Sequence, residues 1–185
     1  MDSFPTSEAN IAPNRVFRGE LASLRHAVKG DGRSVGLVTL LPLLQARHRR
    51  ELRTEPHWSK EELVRHPEPR ELIRSMRKAG NLDEQGRPTY TLDERRSLTA
   101  DVFENRIVRQ TVDMVDERLS ALADDAGAGL KAEAALLRRD LTGARRQAPF
   151  LDDVSPLTRV GAASATLTQD PLYRTVMGIR QRLLG

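Results

Sequence analysis

A chain of 185 residues, 38% hydrophobic and 30% charged, has the composition of a soluble globular protein with material for one core of moderate size. The absence of cysteine excludes disulfides, thiol nucleophiles and thiolate metal sites. The longest apolar run, Val35 to Leu44, is broken by Gly36, Thr39 and Pro42 and has about half the length of a membrane span.

The opening residues MDSFPTSEAN are acidic and polar, the opposite of a secretory signal, so a cytoplasmic location away from membranes is expected. The formal net charge is +4, with 26 arginines against 4 lysines. Arginine suits bidentate phosphate contacts, which keeps nucleic acid among the expected partners. The charge is unevenly spread. Residues 15–53 hold nine Lys/Arg against three Asp/Glu, and residues 80–125 hold six against eleven.

Residues 1–14 lack periodicity and read as a flexible leader. From Arg15 to Lys29 the positions Val16, Leu21, Leu24 and Val28 suggest a helix, and GDGR at 30–33 is a turn. The next stretch begins β-branched and ends leucine-rich; a helix from about Ser34 or Pro42 to Arg53 is the favoured reading. It would gather Arg47, His48, Arg49, Arg50 and Arg53 within two turns, as a solvated face or a surface for phosphate or an acidic partner. Ser59 and Glu62 have capping-box spacing for a short helix ending near His66. Pro69 opens another through Leu72, Ile73 and Met76, closed by Gly80. Asp83–Gly86 is a turn, and the alternation at 89–92 suggests a crossing loop or a small β-hairpin near 88–93.

The longest periodic segment is Asp101 to Ala123. Val108, Val112, Val115, Leu119 and Leu122 recur at steps of four and three, with Phe103, Ile107 and Met114 beside them, so this helix belongs at the centre of a bundle. Extending its stripe backwards puts Asp101, Glu104 and Asn105 on the inward side. Capping from Thr99 or Asp101 and the helix dipole account for the acids, less so for Asn105, which lies too far inside the helix. A buried polar group needs a partner, so this end is expected to meet a matching polar surface or to lie open. After a turn at 123–129, Leu130, Ala134, Leu137, Leu141 and Ala144 form an antiparallel second helix. Residues 151–168 read as a connection without strong structure. Asp170–Pro171 then opens a final helix with Leu172, Val176, Ile179 and Leu183 on one side.

The sum is an all-α protein, an irregular helical bundle around a long central hairpin. One domain is expected over 15–185, with a basic part at 15–53 and a helical core at 59–185.

No phosphate loop, dinucleotide fingerprint or nucleophile elbow occurs, and His26, His48, His57 and His66 have no metal-ligand spacing. No Asp or Glu stands two residues before a lysine, so the carboxylate-x-Lys element of metal-dependent nucleases is missing. No cofactor and no metal are expected.

The segment RRSLTADVFENRIVRQTVDMVDERL, preceded by ELIRSMRKAG and followed by PLYRTVMGIRQRLL, resembles the helical region of McrC-like and related nuclease-associated proteins of bacterial restriction and defence systems. Asp101, Glu104, Asn105, Arg106 and Val108 match its D-x-x-ENR-hydrophobic-V element, and Tyr173 and Arg174 its Tyr-Arg helix, over about residues 65–185. In such proteins this region packs beside a PD-(D/E)XK nuclease domain, which the resemblance places after it.

The resemblance implies a non-catalytic accessory module that works with a nuclease or an AAA-type NTPase subunit, with DNA, or with both. Arg47, Arg49, Arg50 and Arg53 are the expected contacts, with Arg106 and Arg109 on the solvent side of the central helix as further candidates. Two alternatives stand beside it. One is a metal-dependent nuclease with a degenerate site of Asp101, Glu104 and Asn105, and the other is a helical scaffold without a nucleic-acid role.

Overall fold

The computed structural model describes residues 11–64, 68–125, 127–158 and 164–185. These form seven α-helices and a two-stranded antiparallel sheet, so the fold is mainly helical and departs from the all-α expectation. Contacts divide the chain into two compact units where the sequence reading set one domain over 15–185. Unit 1 is Met1–Arg49 with Ala100–Gly185, and unit 2 is Arg50–Thr99. Unit 2 is thus an insertion into the chain of unit 1. Among the described residues no helix is long and apolar enough to cross a membrane.

Unit 1 is a bundle. Helix α1 (Ile11–Lys29) begins before the expected Arg15, and α2 (Leu37–Arg47) follows the turn at Gly30–Val35. Gly30 has φ 84°, a region costly for any side chain, and a Cβ on Gly36 would meet the Val28 carbonyl oxygen at 2.4 Å. Leu37, Leu40, Leu41 and Leu44 bury one face of α2. Helix α4 (Phe103–Asp125) packs on α1, on α5 (Ala128–Arg146) and on α7 (Pro171–Leu184).

The spacing-based stripe holds residue by residue: Val108, Val112, Val115, Leu119 and Leu122 are all buried, as are Ala134, Leu137, Leu141 and Ala144 on α5. Burying one such side chain contributes about 1.5–3 kcal/mol, so this seam dominates the unit. Asp116 pairs with Arg138 at 2.9 Å and Asp113 with Arg145 at 2.8 Å, one sequence falling as the other rises, as antiparallel helices require. The basic helix α1 is part of the same core through Leu21, Leu24 and Val28. Its Lys29 reaches Asp140 of α5 at 3.0 Å.

The stretch at 151–168 is more ordered than its sequence suggests. A 3-10 segment Pro149–Asp153 buries Phe150 and Leu151, and α6 (Ala165–Gln169) precedes α7. Asp170 caps α7 as its Asp-Pro signature predicts, accepting from Leu172 N at 2.8 Å.

In unit 2, β1 (Glu51–Lys60) pairs antiparallel with β2 (Tyr90–Thr99) over ten positions, from Glu51↔Thr99 to Lys60↔Tyr90. The helix expected to reach Arg53 therefore ends at Arg47, and the expected local hairpin near 88–93 is one strand whose partner lies some thirty residues upstream. Ser59 lies inside β1, and a single 3-10 turn, Glu61–Leu63, stands where a capped helix was expected; His66 lies outside the described residues. Helix α3 (Pro69–Arg77) covers the edge of β2. Ser75 Oγ accepts from Leu92 N at 2.8 Å, while Asn81 binds both the N–H and the carbonyl of Tyr90.

Candidate functional site

The inward polar end of α4 carries a dense polar network. Glu104 and Asn105 are 3% and 0% exposed, so each buried donor and acceptor must be matched. Asn105 Nδ2 donates to the carbonyls of Arg49 at 2.8 Å and Ala100 at 2.7 Å. Its Oδ1 accepts from the Tyr173 hydroxyl at 2.5 Å, and that hydroxyl accepts from the Arg49 backbone N–H at 2.8 Å. The amide uses both hydrogens and its oxygen. Arg49 and Ala100 are also the residues between which unit 2 is inserted, so one side chain ties together the two segments of unit 1 at that break in its chain.

Glu104 sits one position away. Its carboxylate accepts from the Arg49 guanidinium, which also donates to Thr166 Oγ1 at 2.8 Å, and from Ser164 Oγ at 2.5 Å. Asp101 takes both Nε and Nη2 of Arg106 at 2.8 Å and both the N–H and the hydroxyl of Ser155 at 2.8 Å. The Arg106 guanidinium, aided by the Ser155 donors, holds the Asp101 carboxyl well below the usual carboxylate range against the opposing effect of burial. Burial pushes the Tyr173 phenol up to about 12, partly opposed by the N–H of Arg49 and reinforced by the Glu104 charge.

The matching polar surface expected for this end is supplied by the same chain. The carboxylates do not form a metal site: among the described residues no group of three His, Cys, Asp or Glu could hold an ion.

The four arginines of the expected basic cluster have different surroundings. Arg47 is exposed at the end of α2, Arg49 is drawn into the network, and Arg50 is exposed where unit 2 begins. Arg53 is exposed on β1, with Glu55 at 3.1 Å. Arg106 and Arg109 are not on a solvent face. Both are half-buried, Arg106 on Asp101 and Arg109 donating to the Val154 carbonyl, because the 154–155 segment folds over that side of α4. Tyr173 is 2% exposed, while Arg174 beside it is exposed. The α7 periodicity passed over Tyr173 in favour of Leu172, although the motif match pointed to it.

His26 and His48 also have local tasks. His26 Nε2 lies 2.9 Å from Ser34 Oγ, and His48 stacks on Phe150 with ring centres 4.4 Å apart. His57 is exposed on β1.

The fold and this network define a helical bundle held by an internal polar clasp, its chain interrupted by an inserted strand-and-helix unit. Residues 39–179 match a family model described as "Domain of unknown function (DUF2357)", and the chain belongs to that family. The match starts within α2 and ends in α7, so it takes in all of unit 2 and the whole clasp. No curated protein and no solved structure matches the chain.

Proposed function

We propose that this DUF2357 protein is a non-catalytic accessory module of a restriction-type defence nuclease system, and that its task is to engage a protein partner such as the nuclease or an AAA-type NTPase subunit. The observation that carries the reading is the inward use of the D-x-x-ENR element. Asp101, Glu104 and Asn105 are saturated by Arg106, Arg49, Ser155, Ser164 and Tyr173, which leaves them framework roles and none in bond cleavage. The partner is favoured as a protein because unit 2 is charge-balanced, with eleven Lys/Arg against ten Asp/Glu over residues 50–99. Among the described residues it also holds eight of the thirteen exposed large hydrophobic side chains, including Leu52, Leu98 and Trp58.

A DNA role rests on Arg47 and Arg50, which are exposed, and is the second reading. Two measurements separate them. The protein and the products of the neighbouring reading frames are co-expressed, and retention of a nuclease or NTPase subunit is compared between wild type and a Leu52→Ser, Leu98→Ser variant; loss in the folded variant supports the protein reading. Retention of duplex DNA is followed between about 50 and 200 mM salt, where phosphate contacts give a steep fall. Magnesium-dependent cleavage abolished by Glu104→Gln would overturn the non-catalytic reading.

A further inference from the structure

Main-chain bonding in the β1–β2 ribbon leaves its two edges unequal. The N–H of Leu92 goes to Ser75 Oγ at 2.8 Å, and the N–H and carbonyl of Tyr90 go to Asn81 at 2.9 and 2.6 Å, so these groups point away from β1. That fixes the bonding phase of the whole ladder. Lys60 and Trp58, which stand opposite Tyr90 and Leu92, turn their main-chain groups away from β2, and so do Pro56, Thr54 and Leu52. Pro56, which has no N–H, falls where β2 needs none. The outer edge of β2 is thus closed by side chains at Tyr90 and Leu92, while the outer edge of β1 is open. Among the described residues, no hydrogen bond reaches the main chain of Leu52, Thr54 or Trp58.

An open strand edge is complementary to another extended backbone. The side chains beside it decide which one. Antiparallel pairing of β1 with β1 of a second copy matches more than half of the strand when it is centred on Thr54, Glu55, Pro56 or His57. Centred on Glu55, it sets that carboxylate against itself, and centred on Pro56 it puts two prolines where donors are needed. Centred on His57, no arginine of the strand meets a carboxylate of the strand. Centred on Thr54, Arg53 of each copy lies opposite Glu55 of the other, in the closely spaced non-hydrogen-bonded position. The same register sets Leu52 opposite Pro56 on the face where Leu52 and Leu98, 61% and 67% exposed, already form a cross-strand pair.

We propose that two copies of this chain join along the outer edge of β1, antiparallel about Thr54. Thr54 N–H of each copy donates to the Thr54 carbonyl of the other, and Leu52 N–H of each to the Pro56 carbonyl of the other. Arg53 and Glu55, already 3.1 Å apart within one chain, become a ladder of alternating charge across the junction. The contact is isologous and uses β1 in both copies, so assembly closes at two. This inference goes beyond the module reading and does not rest on it, since the occupant is a second copy and not a nuclease or NTPase subunit.

The test follows the full chain by sedimentation equilibrium over a concentration series, with amide exchange at Leu52 and Thr54 measured at both ends of the series. A junction of one strand edge is small, so a dissociation constant in the micromolar range is expected, with protection of both amides that grows with concentration. Arg53→Glu and Glu55→Arg each set like charges face to face twice and should weaken the dimer about tenfold; the variant carrying both should recover wild-type affinity. Thr54→Pro removes a donor that points out of the ribbon, as the N of Pro56 does, and should abolish dimerisation in a folded chain. If that variant does not fold, the charge reversals decide. A monomer up to about 1 mM chain, a dimer indifferent to the reversals or not restored by the double variant, or protection that maps elsewhere would each overturn the proposal. Retention of a neighbouring subunit bears on the module reading alone.

Discussion

Tyr173 donates its phenolic hydrogen to Asn105 Oδ1 at 2.5 Å, joining α7 to α4 across 68 positions of sequence. Because Asn105 then spends both amide hydrogens on the Arg49 and Ala100 carbonyls, α7 helps to hold together the two segments of unit 1. This relationship makes the clasp open to direct measurement.

Replacing Asn105 by Ala strands two carbonyls and the Tyr173 hydroxyl in a site that is 0% exposed. A loss of about 2–4 kcal/mol is expected, read from urea unfolding, with faster amide exchange at Ala100 and neighbouring residues. Asn105→Asp should be no better, since a carboxylate cannot donate to either carbonyl. Recovery of wild-type stability in Asn105→Asp would show that the amide hydrogens do not matter.

Tyr173→Phe removes one hydroxyl and keeps the packing, so about 1–2 kcal/mol is expected at neutral pH. In the wild type the phenol, raised from about 10 to about 12, binds its proton more tightly folded than unfolded. Its contribution is therefore complete below about pH 10 and is lost as the pH climbs toward 12. Alkaline unfolding of the two proteins should converge over that interval, and a constant difference in stability would refute the assignment.

The Arg49–Glu104 pair joins a carboxylate that is 4% exposed to a guanidinium that is 36% exposed. Glu104→Leu removes a buried counter-charge from Arg49 and Arg49→Met does the reverse; each should cost about 2–4 kcal/mol, the lower end reflecting the partial exposure of Arg49. The double variant should lose less than the two together, with a coupling of about 1–3 kcal/mol. Simple additivity would mean that the contact carries no weight.

Asp101 responds to acid. Its carboxyl is held low by Arg106 and Ser155, so its stabilisation is fully present above the ordinary carboxylate value of about 4 and falls away as the pH drops below it. The stability gap between wild type and Asp101→Asn should stay level from neutrality down to about pH 4 and then shrink. A gap that is flat throughout the acid range would argue against the linkage.

Much of the bundle could be read from spacing alone. Val108 to Leu122, Leu130 to Ala144 and Val176 to Leu183 declare their helices because a buried stripe is a local property, repeated every three or four residues. The same periodicity exposed Glu104 and Asn105 as buried polar groups. It carried no information about what would meet them, since Arg49, Ser164 and Tyr173 lie 55 to 68 positions away.

Strand β1 was hidden for a related reason. Glu51–Lys60 is exposed at nearly every position and has no apolar alternation; ten pairings with residues 90–99 hold it extended, and those are long-range contacts. Arg49 is the sharpest case. Its sequence neighbours made it one of a row of phosphate-binding arginines, and the fold draws it inward while Arg50 stays exposed and begins the other unit. Composition and periodicity determined which faces of the helices are buried, because hydrophobic burial depends on each residue's own chemistry. Only the tertiary structure decided which charges neutralise one another, because an ion pair belongs to two residues that distance along the chain does not relate.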